Sequence, residues 1–214
     1  MKIGIIGSGD VGRALGTGFA GLNHEVKIGT RRAQQEKIKM WLDGNTPHSL
    51  VGTFDEAAEF GDLLVLATKW SGTKNAIQLT DSTHWAGKVV IDVTNPLVFT
   101  DNGPPQLALG LNDSGGEQVQ RWLPKSNVVK AFNTVGFTHM VNPTFDGGPP
   151  DMFLCGNDEN ARKTVADLCT AFGWGVIDLG DITGARLLEP LCLLWVAIGE
   201  KTNSWDHAFK VLRK

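Results

Sequence analysis

An α/β fold built on a doubly wound, mostly parallel sheet is predicted by two observations on this 214-residue sequence. Apolar runs of four to six residues alternate with longer stretches of helical period, and the first run leads directly into a glycine-rich turn that opens a helix. Strands are expected at residues 2–6, 25–29, 49–53, 63–68, 89–93, 128–131, 152–155 and 175–179. The intervening periodicity predicts helices at 11–22, 55–59, 72–79, 117–123 and 158–172. Ser114 and Glu117 have the spacing of a capping box, and Gly173 fits the left-handed position that ends a helix.

A chain of this length buries about 70% of the surface its unfolded form exposes, so it needs no disulfide or metal staple. Residues 1–180 are read as one Rossmann-type nucleotide-binding domain and 181–214 as a short carboxyl-terminal helical segment packing on that domain or on a partner. In that segment Leu187, Leu191, Leu194, Trp195 and Ile198 recur at three- and four-residue steps as one apolar stripe. The stretch 94–116, rich in Pro, Gly, Asn and Asp, follows a central strand as a long loop, which favours a functional role.

Several function classes are excluded. Twenty Lys and Arg against 23 Asp and Glu, a net charge of −3 with no basic block, argues against nucleic-acid binding. The first apolar segment breaks at Gly7, too early for a signal-peptide core, and the late run 191–198 is too short for a membrane span, so no membrane association is expected. Cys155, Cys169 and Cys192 show no metal or redox spacing, which suits a reducing, cytoplasmic setting. The five histidines form no ligand pair, so no metal site is expected.

Gly7-Ser8-Gly9-Asp10-Val11-Gly12 reads G-x-G-x-x-G between a strand and a helix. Gly7 would serve the tight turn, Gly9 the close approach of a pyrophosphate, and Gly12 the packing of helix on strand. The first helical amides would face the phosphates, where the helix dipole also favours negative charge. At the end of the second strand, an acidic residue would mark the unphosphorylated dinucleotide. The chain instead has Gly29-Thr30-Arg31-Arg32, and guanidinium groups match phosphate oxygens, so NADP is preferred over NAD.

Further stretches carry a family resemblance: Val65-Leu66-Ala67-Thr68-Lys69-Trp70, Asp92-Val93-Thr94-Asn95-Pro96-Leu97, Val128-Val129-Lys130-Ala131-Phe132-Asn133-Thr134 and Gly184-Ala185-Arg186-Leu187-Leu188-Glu189. Together with the Thr30-Arg31 turn they resemble the NADPH-dependent reductases of coenzyme F420, an 8-hydroxy-5-deazaflavin, over nearly the whole chain. The 130–134 stretch is also similar to the cytosolic reductase domain of the six-transmembrane ferric reductases, which pass hydride to a flavin.

The resemblance implies pyrophosphate contacts at Ser8, Gly9, Asp10 and Val11, and a 2′-phosphate site at Thr30 and Arg31 with Arg32 adjacent. It places Thr68, Lys69 and Trp70 along the cofactor, Asn95, Pro96, Val135 and Gly136 near the nicotinamide, and Asn133 and Thr134 on the acceptor side. Two positions depart from the family pattern. Asn133 stands where those reductases carry a histidine, and Gln35 where they carry a phosphate-binding lysine, for which Lys37 is the available substitute.

The expected function is hydride transfer between NADP(H) and a deazaflavin or flavin carrier, with a homodimer implied by the resemblance. Such transfer needs no dedicated nucleophile, since the protein's task is to stack two rings at reacting distance. No catalytic side chain is therefore assigned. Two alternatives stay open: a small imine or carbonyl reductase resembling pyrroline-carboxylate reductases, which would need a proton donor, and a non-catalytic NADPH sensor.

Overall fold

The computed structural model describes residues 1–31, 35–45, 47–99 and 103–214. In chain order the elements are β1 (Lys2–Ile6), α1 (Asp10–Gly21), β2 (Glu25–Gly29), α2 (Glu36–Gly44), β3 (Ser49–Gly52), α3 (Phe54–Phe60), β4 (Leu63–Leu66), α4 (Trp70–Gln78) and β5 (Val89–Asp92). They continue with β6 (Leu97–Val98), β7 (Gln106–Leu107), α5 (Gly115–Trp122), β8 (Asn127–Lys130), β9 (Asp151–Gly156), α6 (Glu159–Ala171), β10 (Gly175–Asp178) and α7 (Ala185–Thr202).

The eight-stranded sheet has the order β10-β9-β8-β5-β4-β1-β2-β3. From β3 to β8 every pairing is parallel, while β9 runs antiparallel to β8 and carries β10 parallel to itself. The order reverses at β1, which has β2 on one side and β4 on the other. Ile6 is in register with both Gly29 and Leu66, and Leu66 with Asp92, so the segments after β1, β2, β4 and β5 emerge along one edge.

Side chains alternate across the sheet as the strand period requires. Ile3, Ile5 and Val65 enter a layer with Leu15 and Phe19 of α1, Ile38 and Trp41 of α2, and Val165 of α6. Ile6, Leu64 and Leu66 enter the opposite layer with Phe54 and Ala57 of α3, Val119 of α5 and Leu188 of α7. Both faces of the sheet are therefore covered, which explains why β4 reads as an unbroken Leu63-Leu64-Val65-Leu66 run.

Three local expectations are corrected. α2 forms between the second and third strands, where no helix was named, and is held by Ile38 and Trp41 on its buried face. The 94–116 loop carries the hairpin β6–β7, with Leu97 opposite Leu107. Ser114 does cap α5 by accepting from the Glu117 amide, but the box does not close: the Ser114 amide donates to Asp113, and Glu117 turns to Arg186. A closed capping box stands instead at Thr53 and Glu56, where α3 begins. Gly173 adopts φ +92°, the left-handed conformation expected of it.

The apolar stripe of α7 divides into two faces. Leu188, Glu189, Cys192, Trp195 and Gly199 are buried against the body, whereas Leu187 and Leu194 are 67% and 50% exposed on the outside. Trp195 thus belongs to the inner face, away from the leucines it was grouped with. By length and composition Ile182–Thr202 could also cross a membrane, but its inner face carries a buried carboxylate, Glu189, tied to the sheet. Beyond α7 the chain folds back: Trp195 Nε1 donates to the His207 carbonyl, and the Asp151 amide donates to the Phe209 carbonyl beside β9.

Candidate functional site

A cleft of about 1100 Å³ lies along the carboxyl edge of the parallel strands. Its floor is the glycine turn. Gly7 has φ +129°, and a Cβ there would sit 2.2 Å from the Ala67 carbonyl oxygen. At Gly12 a Cβ would fall 2.1 Å from the Gly7 carbonyl oxygen, so α1 can approach β1 only without a side chain. Gly9 differs: a Cβ there meets nothing within 4 Å, so the space above it is open to the cleft. As N-cap of α1, Gly9 supplies no side-chain acceptor, and the first amides of the helix have no cap from it.

Ser8, Asp10 and Val11 line the cleft beside Gly7 and Gly9. Ser8 donates its hydroxyl to Thr30 Oγ1 at 2.9 Å, joining the glycine turn to the end of β2. Thr30 is buried, its amide bonded to the Gly52 carbonyl. Arg31 is exposed on the cleft wall with Gln35 and Lys37, and Arg32 lies outside the described residues. Arg13, which sequence reasoning missed, completes this wall. It donates to the Ser8 carbonyl at 2.9 Å and pairs with Asp10. The signal for it was its position one residue beyond Gly12, on the first turn and a half of the phosphate-facing helix.

On the opposite wall Thr68 and Lys69 lead into α4, whose Ser71, Gly72 and Asn75 also face the cleft. Thr68 and Thr73 share a hydroxyl hydrogen bond of 2.9 Å, and Lys69, the N-cap, makes no side-chain cap bond. A second uncapped helix start is therefore presented beside that of α1. Trp70, expected to line the cleft, is absent from its wall: the indole stacks on Trp122 at 5.4 Å between centroids, on the other face of the sheet. A smaller hollow of about 550 Å³ shares Asp10, Arg13, Lys37 and Phe137 with the main cleft and extends over Met40 and Trp41.

Apolar lining comes from Ala67, which abuts Gly7, from Val93, and from Phe137, which also borders the smaller hollow beside Arg13 and Lys37. Asn95, Pro96, Thr134, Val135 and Gly136, expected at the cofactor or its acceptor, do not line this cleft, although Val93 and Phe137 near them in sequence do. Asn133, 3% exposed, donates to Asn95 Oδ1 at 3.0 Å and to the Leu188 carbonyl of α7 at 3.0 Å. A Cβ on Gly136 would lie 3.2 Å from the Trp195 ring, so the 133–136 loop is packed directly against α7.

Below these loops is a cluster no motif announced. Lys130, fully buried at the end of β8, places its ammonium 2.9 Å from Asp92, 2.9 Å from Glu189 and 2.7 Å from the Thr94 carbonyl. Burial alone would push this ammonium's pKa down, but the two carboxylates reverse the effect and hold it above the ordinary lysine value. Glu189 also accepts the Gly115 and Gly116 amides at the start of α5, each at 2.9 Å. Nearby, Arg186 grips Glu117 in a fork of 2.8 and 2.6 Å. This fork holds the Glu117 carboxyl below its usual range. Among the described residues no His, Cys, Asp and Glu group could hold a metal ion.

A strand, glycine turn and open helix start beside a basic second-strand end constitute the apparatus of an NADP-dependent oxidoreductase. Residues 2–96 match the family model described as NADP oxidoreductase, coenzyme F420-dependent. Over 223 residues the chain is 32% identical to the F420-dependent NADP reductase of Methanocaldococcus jannaschii, covering 99% of this chain and 98% of that protein. The chain belongs to the family of coenzyme F420-dependent NADP oxidoreductases, and NADP and coenzyme F420 are the cofactors this family implies.

It is also 30% identical over 196 residues to Metalloreductase STEAP3 of Rattus norvegicus, spanning 90% of this chain but only 37% of that protein. The crystal structure of a candidate F420-dependent NADP reductase from Arthrobacter sp. FB24 superimposes with a TM-score of 0.93 at 38% identity, covering all of both chains.

Proposed function

We propose that the protein transfers hydride between NADP(H) and a deazaflavin or flavin electron carrier. The observation that carries this reading is the mixed lining of one cleft, which gathers the cationic Arg13, Arg31 and Lys37 and the apolar Ala67, Val93 and Phe137 around the glycine turn. The cations suit a phosphorylated ribose, and the apolar side chains suit stacked planar rings shielded from water. Bound there, the nicotinamide supplies or takes the hydride.

The open space over Gly9 and the two uncapped helix starts fit a dinucleotide. The amides of Ser8, Gly9, Asp10 and Val11 would hold the pyrophosphate, with Gly7 and Gly12 shaping their turn. Thr30 and Arg31, with Arg32 and Lys37, would hold the 2′-phosphate, and Thr68 and Lys69 would flank the cofactor beside α4. Asn95, Pro96, Val135 and Gly136 would form the backing of the nicotinamide end, and Asn133 and Thr134 its acceptor side. Trp70 would act at one remove, by seating α4 on Trp122.

A homodimer in a reducing cytoplasm completes the reading. Leu187 and Leu194 are exposed on α7, and a second copy would cover them. Replacing both by Glu should yield a folded monomer in sedimentation, and a wild-type protein already monomeric at micromolar concentration removes the dimer.

The decisive experiment offers coenzyme F420, FMN, FAD and ferric chelates in parallel to the protein with NADPH under anaerobic conditions. Rapid NADPH oxidation with a deazaflavin or flavin is expected. Reduction of a cyclic imine or carbonyl compound, with no turnover of any flavin or deazaflavin, overturns the proposal.

A further inference from the structure

We infer that Lys130 is a positioning residue that couples α7 to the loop after β5 and so sets the shape of the acceptor end of the cleft. Its ammonium donates a hydrogen bond to the Thr94 carbonyl at 2.7 Å and ion-pairs with Asp92 Oδ2 and Glu189 Oε1, each at 2.9 Å. Each comes from a different segment. Asp92 ends β5, Thr94 opens the loop that follows, and Glu189 belongs to α7.

Thr94 is fixed on all sides. Its amide and its hydroxyl both donate to Asp92 Oδ1, at 2.9 and 2.7 Å, and its carbonyl accepts from Lys130. On one side of it Val93 lines the cleft, and on the other Asn95 bonds to the Asn133 carbonyl at 2.9 Å. The α7 side is equally constrained, since Glu189 binds Lys130 and the start of α5 while Leu188 accepts from Asn133. A well-packed apolar cluster in place of all three ions would fill the same space without desolvating charge. What it could not do is hold the Thr94 carbonyl and α7 at one point.

This inference rests on the proposed acceptor reaction, and the test separates the two. Lys130→Met removes the donor and leaves Asp92 and Glu189 facing each other; Lys130→Met/Asp92→Asn relieves that repulsion without restoring the tether to Thr94. NADPH affinity is read by titration of tryptophan fluorescence, acceptor KM and kcat by turnover, stability by thermal unfolding, and loop order by amide hydrogen exchange over residues 93–99.

The single variant should unfold at lower temperature and the double variant should recover most of that loss. In both, exchange over 93–99 should accelerate and acceptor KM should rise about tenfold while the NADPH dissociation constant stays within about twofold. If the double variant recovers acceptor KM together with stability, or if exchange over 93–99 is unchanged in both, Lys130 serves stability alone and the inference fails. If the wild-type protein reduces no carrier, the proposed reaction falls, and exchange together with NADPH titration still decides the role of Lys130.

Discussion

Asn133 donates its side-chain amide to Asn95 Oδ1 at 3.0 Å, and Asn95 returns its own amide to the Asn133 carbonyl at 2.9 Å. The loops after β5 and β8 are thereby closed on each other. Asn133 Oδ1 is left as a buried acceptor with no hydrogen-bond partner among the described residues. Where the family resemblance places a histidine, this chain has an amide that does not titrate, so the contact keeps one protonation state across neutral pH.

The glycine turn offers a test in which fold and binding part company. Gly7→Ala and Gly12→Ala should each destabilise the protein by about 1–3 kcal/mol, because a Cβ at either site meets backbone at close range. Gly9→Ala, with open space around it, should cost less than about 1 kcal/mol in urea unfolding yet weaken NADPH binding strongly. Loss of fold at Gly9, or unchanged binding, would remove it from the cradle.

Arg31 should govern the choice between dinucleotides. Arg31→Ala should weaken NADPH by about tenfold and leave NADH nearly unaffected, since charge-assisted contacts to a 2′-phosphate are lost and nothing else changes. Isothermal titration with both cofactors measures the ratio. Equal weakening of both would place Arg31 elsewhere.

The Glu117–Arg186 fork should make part of the stability acid-sensitive. Because Arg186 depresses the folded pKa of Glu117, the contribution is complete above the unfolded value near 4.3 and disappears as pH falls through the folded value. The difference in urea midpoint between wild type and Arg186→Met should therefore be full at pH 7 and shrink between about pH 5 and 3. A difference that persists unchanged at pH 3 would assign the effect to packing of the arginine stem.

The three thiols should be silent in the folded protein. Burial pushes Cys155, Cys169 and Cys192 up to about 12, so almost no thiolate exists at pH 8. A disulfide reagent should label none of them natively and all three in guanidinium chloride. Native labelling within minutes would expose at least one to solvent.

The legibility of the fold varied with the range of the interactions that make it. β1, α1 and β2 could be read directly because Ile3, Ile5 and Ile6, the glycine turn and the apolar face of α1 are all local patterns. α2 escaped because it buries only Ile38 and Trp41. The direction of β9 is set by pairing with β8, which its own alternation does not encode. Trp70 was misplaced for a related reason. It stands at the proper edge, but the first turn of α4 gives Ser71 and Gly72 to the cleft and the indole to Trp122. The glycine turn itself was legible from spacing; the contacts of Arg13 and Lys130 were not, because their partners are defined only by tertiary packing.

The Lys130 cluster also bears on the order in which the chain folds. Its contacts close intervals from 36 residues, to Thr94, up to 74 residues, between Gly115 and Glu189. Loops of that length cost closure entropy before any contact compensates, and none of the three charges can leave water until β5, β8 and α7 are together. The half of the sheet around β1 uses none of these charges and can assemble while α7 is still detached and its ions hydrated. Docking of α7 is expected late in folding and its release early in unfolding, so substitutions in the cluster should hasten unfolding more than they slow refolding.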